Sequence, residues 1–238
     1  MSDTAVASHG SLLPALSQLL PHTQGRELGR LMLAEDPLSR HVPAERASAL
    51  VDAALAKGRE RAEWAAHLCG DGPDALAAVL GVPVISADDD ADFGTSVVFA
   101  QYVAHPGRIT LYRSALARID RILALPEVHA LLAIESCTAT FLAHELYHHL
   151  DYTLPCGGLS RRHRVSVIAL GRWHWRAALA SLDEIAAGAF AQALLGLTFH
   201  PRLLELLAVV AAAPQKAIDL ARVLRCERAV ESAEGVAA

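Results

Sequence analysis

The segment His144-Glu145-Leu146-Tyr147-His148 constrains this chain more than any other five residues in it. Two imidazoles spaced i, i+4 can both reach one ion only if the segment is helical, where they stand on one face about 6 Å apart along the axis. The residues before it, Thr140-Phe141-Leu142-Ala143, are mainly apolar, so another face of the same helix must lie against a core. The chain has to fold around this helix and cover it.

Material for that core is plentiful. The chain has 238 residues, 53% of them hydrophobic, enough to bury a substantial interior without disulfides. Ala and Leu dominate over aromatic and β-branched types, which favours helices because those two side chains lose least on entering one. Helical spacing predicts helices from about Leu12 to Leu20, Gly25 to Ala34, Pro43 to Lys57 and Arg59 to Cys69, punctuated by Pro21, Pro37, Pro43 and Gly58. Residues 1–70 read as a helical N-terminal region whose first ten residues are disordered. A short helix from Asp71-Gly72-Pro73-Asp74 stops at Gly81.

A small sheet follows. Val82 to Ser86, Ser96 to Ala104 and Arg108 to Tyr112 are rich in Val, Ile, Phe and Tyr, and His105-Pro106-Gly107 turns the last two into a hairpin. Asp88-Asp89-Asp90 lacks the alternating ligands of a calcium loop and reads as a solvated turn. One helix is expected from Ser114 to Leu125, and Pro126 opens a long helical stretch from Glu127 to about Tyr152. A loop at Pro155-Cys156-Gly157-Gly158, a solvated basic helix carrying Arg161, Arg162, Arg164, Arg172 and Arg176, and a helix from Ser181 to Gly196 come next, before two more opened by Pro201 and Pro214. The fold class is α+β and mainly helical: a small twisted sheet packed on the histidine helix, with helices at both ends.

His144 and His148 suit zinc, and Glu145 beside them can accept a proton from a metal-activated water that attacks a carbonyl. A third ligand must come from another element. Glu184 offers a carboxylate in the first turn of its helix, but Ser181 and Glu184 also spell an S-x-x-E capping box, and spacing does not decide between the two readings.

From Ala75 to about Leu197 the chain resembles the ImmA/IrrE metallopeptidases. The matching features are Leu80-Gly81-Val82-Pro83-Val84, the strand ending Ile109-Thr110-Leu111, the H-E-x-x-H segment, and Glu184-x-x-Ala187 followed by Phe190-Ala191. The resemblance implies a zincin-like domain over 71–238, zinc held by His144, His148 and Glu184 in the gluzincin manner, and Glu145 as general base. It departs at Gly188, where such proteins carry Asn or Asp to orient a ligand imidazole. No counterpart of their helix-turn-helix domain is evident.

Other candidates surround this set. Asp151 either accepts a hydrogen bond from a ligand imidazole or ends the helix. His149, about 100° away around the helix, reads as a packing residue. Tyr152, His163 and His174 follow closely enough to stabilise an oxyanion, and Trp173 and Trp175 belong to a core face or wall a pocket. Cys156 reads as a free loop thiol. Cys69, Cys137, Cys156 and Cys226 show no C-x-x-C spacing and are expected free in a reducing compartment.

The net charge of −5 is spread along the chain, which argues against nucleic acid and anionic membrane as partners. The start lacks a secretory pattern, and the longest apolar run, Leu206 to Ala213, is too short to span a bilayer. The expectation is a cytoplasmic zinc hydrolase acting on a peptide or protein. A zinc amidase or esterase on a small molecule, or a non-catalytic binding module with the same fold, are its rivals.

Overall fold

The computed structural model describes residues 12–23, 25–70, 72–88, 92–93, 96–154, 158–170, 173–212, 216 and 219–224. Its helices are α1 (Leu12–Leu19), α2 (Gly25–Glu35), α3 (Ala44–Leu68), α4 (Pro73–Leu80), α5 (Arg113–Leu123), α6 (Pro126–Leu132), α7 (Thr138–Thr153), α8 (Leu159–Arg162), α9 (Ala180–Leu195) and α10 (Arg202–Ala212). The strands are β1 (Val84–Ala87), β2 (Asp92–Phe93), β3 (Ser96–Val97), β4 (Ala100–Val103), β5 (Arg108–Tyr112), β6 (Arg164–Leu170) and β7 (Trp173–Ala178). The protein is α+β and mainly helical. None of its described helices is long and apolar enough to cross a membrane.

Gly58 does not divide α3. A Cβ there would lie 2.2 Å from the Ala186 carbonyl oxygen and 2.7 Å from Ala189 Cβ, so this glycine is where the backbone of α3 presses against α9. The facing helix answers with its own small buried residues, Ala186, Gly188, Ala189 and Ala191. Leu28, Val51 and Leu55, all before residue 70, share one hydrophobic core with Leu142, Leu146, Ile185, Phe190 and Leu207.

The sheet has the order β1-β5-β4, with β1 parallel and β4 antiparallel to β5. The expected hairpin is present: His105-Pro106 is cis and Gly107 has φ 87°, in the region that favours glycine. The expected long strand Ser96 to Ala104 is split, because β3 pairs with β2 before β4 begins. Asp88 is held by the Arg113 guanidinium at 2.7 and 2.5 Å, and Asp89 and Asp90 lie outside the described residues.

The stretch expected to run unbroken from Glu127 to Tyr152 is two helices. Ala133 turns left-handed, φ 53°, at the end of α6, and Asp120 of α5 accepts the Cys137 N–H at 2.8 Å to fix where α7 starts. No Gly or Pro marks this break; a carboxylate 17 residues back sets it. Buried Phe141, Leu142, Leu146, Tyr147 and Leu150 then anchor α7 in the core, with Phe141 stacked on Phe99 at 4.6 Å and Tyr147 beside Phe190 of α9.

The expected basic helix is the larger correction. Past the single turn of α8, residues 164–178 form the antiparallel hairpin β6-β7. Val165 and Ile168 favour strand, and the two-residue spacing of Trp173 and Trp175 puts both on one strand face. They are 73% and 65% exposed, so they are not core and wall no closed pocket. Cys69 and Cys137 are free thiols. Residues 1–11, Cys156, Arg172, Pro214 and Cys226 lie outside the described residues.

Candidate metal centre

Helix α7 presents His144 and His148 one turn apart, and α9 brings Glu184 across to them. His144 Nε2 lies 3.1 Å from His148 Nε2 and 3.1 Å from Glu184 Oε2, and His148 Nε2 lies 3.4 Å from Glu184 Oε1. Tetrahedral bonds of about 2.05 Å to one zinc ion would separate neighbouring donors by about 3.3 Å. Two imidazoles and a carboxylate at these spacings, from two helices fixed in one core, fit a divalent ion in size and donor type.

The capping-box alternative for Glu184 fails. Helix α9 begins at Ala180, so Ser181 lies inside it with no hydrogen bond from its hydroxyl among the described residues, and the Ser181 N–H is taken instead by Asp36 Oδ2 at 3.1 Å. Glu184 is left to face the imidazoles, its side chain 49% exposed.

The charges on these groups are interlocked. Burial alone would push the His144 pKa down, but the hydrogen bond and charge of Glu184, with Glu145 and Glu205 behind it, hold it up at about 9. Desolvation opposes ionisation of Glu184 as well, yet hydrogen bonds from His144 and His148 outweigh it and keep the carboxyl well below the usual range. A divalent cation among these donors would take the place of the shared protons.

Glu145 is buried, and its Oε2 accepts the Tyr102 N–H of β4 at 2.7 Å. Tyr112 N–H donates to Phe99 O at 3.0 Å, and antiparallel alternation then turns the backbone groups of Ala100 and Tyr102 toward the free edge of β4. The free edge of β4 is thus partly occupied by Glu145 itself. Beside it, a groove of about 170 Å³ is lined by Phe99, Ala100, Phe141, His144, Glu145 and Glu184, among others.

The remaining candidates do not all gather here. His149 packs edge-on against the Tyr102 ring, centroids 5.3 Å apart, with Nδ1 3.2 Å from its hydroxyl. Tyr152 Oη bonds His105 Nε2 at 2.8 Å, at the β4-β5 turn. No hydrogen bond joins Asp151 to either imidazole among the described residues; Asp151 sits beside Gly158, where a Cβ would meet its Oδ2 at 2.5 Å. Burial and the nearby Asp183 charge raise its pKa. His163 ends α8. His174 belongs to β7, and its side chain lies outside the described set.

Sequence reasoning missed His200, Arg202 and Glu205. A Cβ on Gly188 would fall 2.4 Å from His200 Nε2: a buried imidazole occupies the space that an Asn or Asp at 188 would fill. Its Nδ1 accepts the Arg202 N–H at 3.2 Å. Arg202 pairs with Glu35 at 3.0 Å and with Glu205. Only a His-Pro pair at the mouth of a helix hinted at this cluster, which is assembled from three separate elements.

No family model matches the chain, and no curated protein or solved structure does either.

Proposed function

We propose that this protein is a zinc-dependent hydrolase, a metallopeptidase of the ImmA/IrrE kind, acting on peptide or protein chains in the cytoplasm. The observation that carries the reading is the 3.1–3.4 Å triangle of His144 Nε2, His148 Nε2 and Glu184 oxygens with Glu145 beside it. A zinc ion bound there supplies a Lewis acid that polarises a carbonyl and makes water a better nucleophile at neutral pH.

The chain's own residues supply the rest. Glu145 is fixed by the Tyr102 N–H through one oxygen, and its other oxygen takes the proton of the attacking water and passes it to the leaving nitrogen. Phe99, Phe141 and Ala100 give the adjacent groove apolar walls. Trp173 and Trp175 are exposed and offer no closed aromatic pocket of the kind that would favour a small-molecule amidase.

The test is Glu145→Gln. Purified protein should carry one zinc per chain in both forms, and peptide hydrolysis should fall at least a hundredfold in the variant. Zinc-free protein, or equal turnover by the two forms, would remove the proposal.

A further inference from the structure

The hairpin β6-β7 supplies nothing to the metal centre, yet its surface is organised. Trp173 and Trp175 alternate onto one face of β7 with Ala177, whose partner across the ladder is Val165. Val165 is buried and Ala177 half-buried, whereas the two tryptophans, nearer the turn, are among the most exposed large side chains of the protein. The apolar face therefore begins against the body of the protein and runs off it. Among the described residues no third strand joins this two-stranded sheet.

Positive charge gathers on the same segment. Residues 159–178 hold Arg161, Arg162, Arg164, Arg172 and Arg176 and no Asp or Glu, in a chain whose net charge is −5. Averaged over the whole chain this excess disappears, which is why net charge alone speaks against an anionic surface. The Arg161 charge is felt by Asp151 at the base of the hairpin. Arg164 and Arg176 stand on the hairpin itself, exposed and on the face opposite the tryptophans, with Arg176 Nη2 donating to the Arg164 carbonyl at 3.0 Å.

Size and charge together decide what covers this ribbon. At their exposure the two indoles offer about 300 Å² of surface, well under half of the roughly 800 Å² that each partner gives to a stable protein interface. A second copy of the chain is not held by that face. Single-stranded nucleic acid needs cations beside the stacking rings to follow its backbone, and here the hairpin arginines lie on the other side of the sheet. A negatively charged bilayer has neither requirement. Indoles settle at its headgroup level, apolar body inward and N–H in water, and its surface charge draws arginines across a Debye length of about 10 Å without touching them.

We propose that the β6-β7 hairpin is a peripheral anchor for anionic lipid bilayers, with Trp173 and Trp175 entering the headgroup region and Arg164 and Arg176 drawn to the surface charge. The anchor uses none of the metal-centre residues and goes beyond the hydrolase reading.

The full chain is floated with vesicles of phosphatidylglycerol and phosphatidylcholine in equal parts, and with vesicles of phosphatidylcholine alone. Binding to the anionic vesicles should be at least about tenfold tighter, since each arginine near such a surface is worth about fivefold, and should weaken as salt is raised. Brominated lipid in the anionic vesicles should quench the tryptophan emission of the unaltered protein, and this reading needs no variant. Trp173→Ser with Trp175→Ser changes exposed side chains only, so Tm should hold while binding falls at least about tenfold; Arg164→Gln with Arg176→Gln should remove most of the preference for phosphatidylglycerol. Absent or equal binding to the two vesicles, unquenched emission, or unchanged binding by the double tryptophan variant would overturn the anchor. So would a dimer in sedimentation that the same variant dissolves, or tighter binding of a single-stranded oligonucleotide than of the anionic vesicles.

Discussion

Replacing Gly58 by alanine sets local and tertiary physics against each other. In a mid-helix position the substitution should stabilise the protein by roughly 0.5–1 kcal/mol, since alanine loses less backbone freedom than glycine. The new Cβ, however, would stand 2.2 Å from Ala186 O, 2.7 Å from Ala189 Cβ and 2.8 Å from Phe190 N. Ordinary contacts begin near 3.5 Å, so α3 and α9 must part by about 1 Å, and two of the three obstacles are backbone atoms that cannot rotate away. Overpacking of this kind costs about 1–3 kcal/mol, and rigid neighbours place it at the upper end. The balance is a loss of about 2 kcal/mol, or about 4–8 °C in Tm for a chain of this size. Thermal unfolding followed by circular dichroism measures it. Gly70→Ala is the control, because nothing lies within 4 Å of a Cβ there, and its Tm should hold steady. A Gly58→Ala protein as stable as the parent, or more so, would refute the claimed helix contact.

Two further outcomes follow from the site. Free zinc at a hundredfold excess over its dissociation constant should stabilise the fold by about 2.7 kcal/mol; EDTA should reverse the rise in Tm, and His144→Ala should abolish it, whereas a Tm indifferent to zinc and chelator would deny a metal site. Burial, with the His144 and Arg202 charges, pushes the His200 pKa from 6.5 down to about 4. The unfolded chain therefore binds a proton that the folded one refuses, so stability present above pH 6.5 is lost as pH falls toward 4, by up to roughly 3 kcal/mol. His200→Gln should flatten that part of the Tm–pH curve, and an identical curve would place the effect elsewhere.

The features that the sequence made legible were those written in consecutive residues. His144 and His148 needed only helical spacing, Gly81 marked its own helix end, and His105-Pro106-Gly107 turned the hairpin. Glu184 was harder, because its nearest neighbours in sequence suggested a cap; only Asp36, 145 residues from Ser181, excludes that role. Gly58 looked like a break because its true reason, the backbone of Ala186, is far along the chain. Ala133 breaks a helix without a breaking residue, since Asp120 decides where α7 begins. In the Arg-rich segment the run of positive charge resembles a solvated helix face, while the strand-like alternation of residues 164–178 decides the structure. His200 escaped notice because its partner is the empty position at Gly188, and a missing side chain leaves no motif.

The bond between Tyr102 N–H and Glu145 also limits how any extended chain can lie on β4. Among the described residues of β4 only Ala100 is left with both its outward backbone groups to offer and Tyr102 with its carbonyl alone, so a visiting strand meets a short, interrupted ladder. Shifting it by one residue would swap which of its side chains look into the protein, and so short a ladder does little to prevent that slip. Alignment must then come from side chains seated beyond the strand, and a polypeptide without a well-fitting residue would slide past instead of stopping.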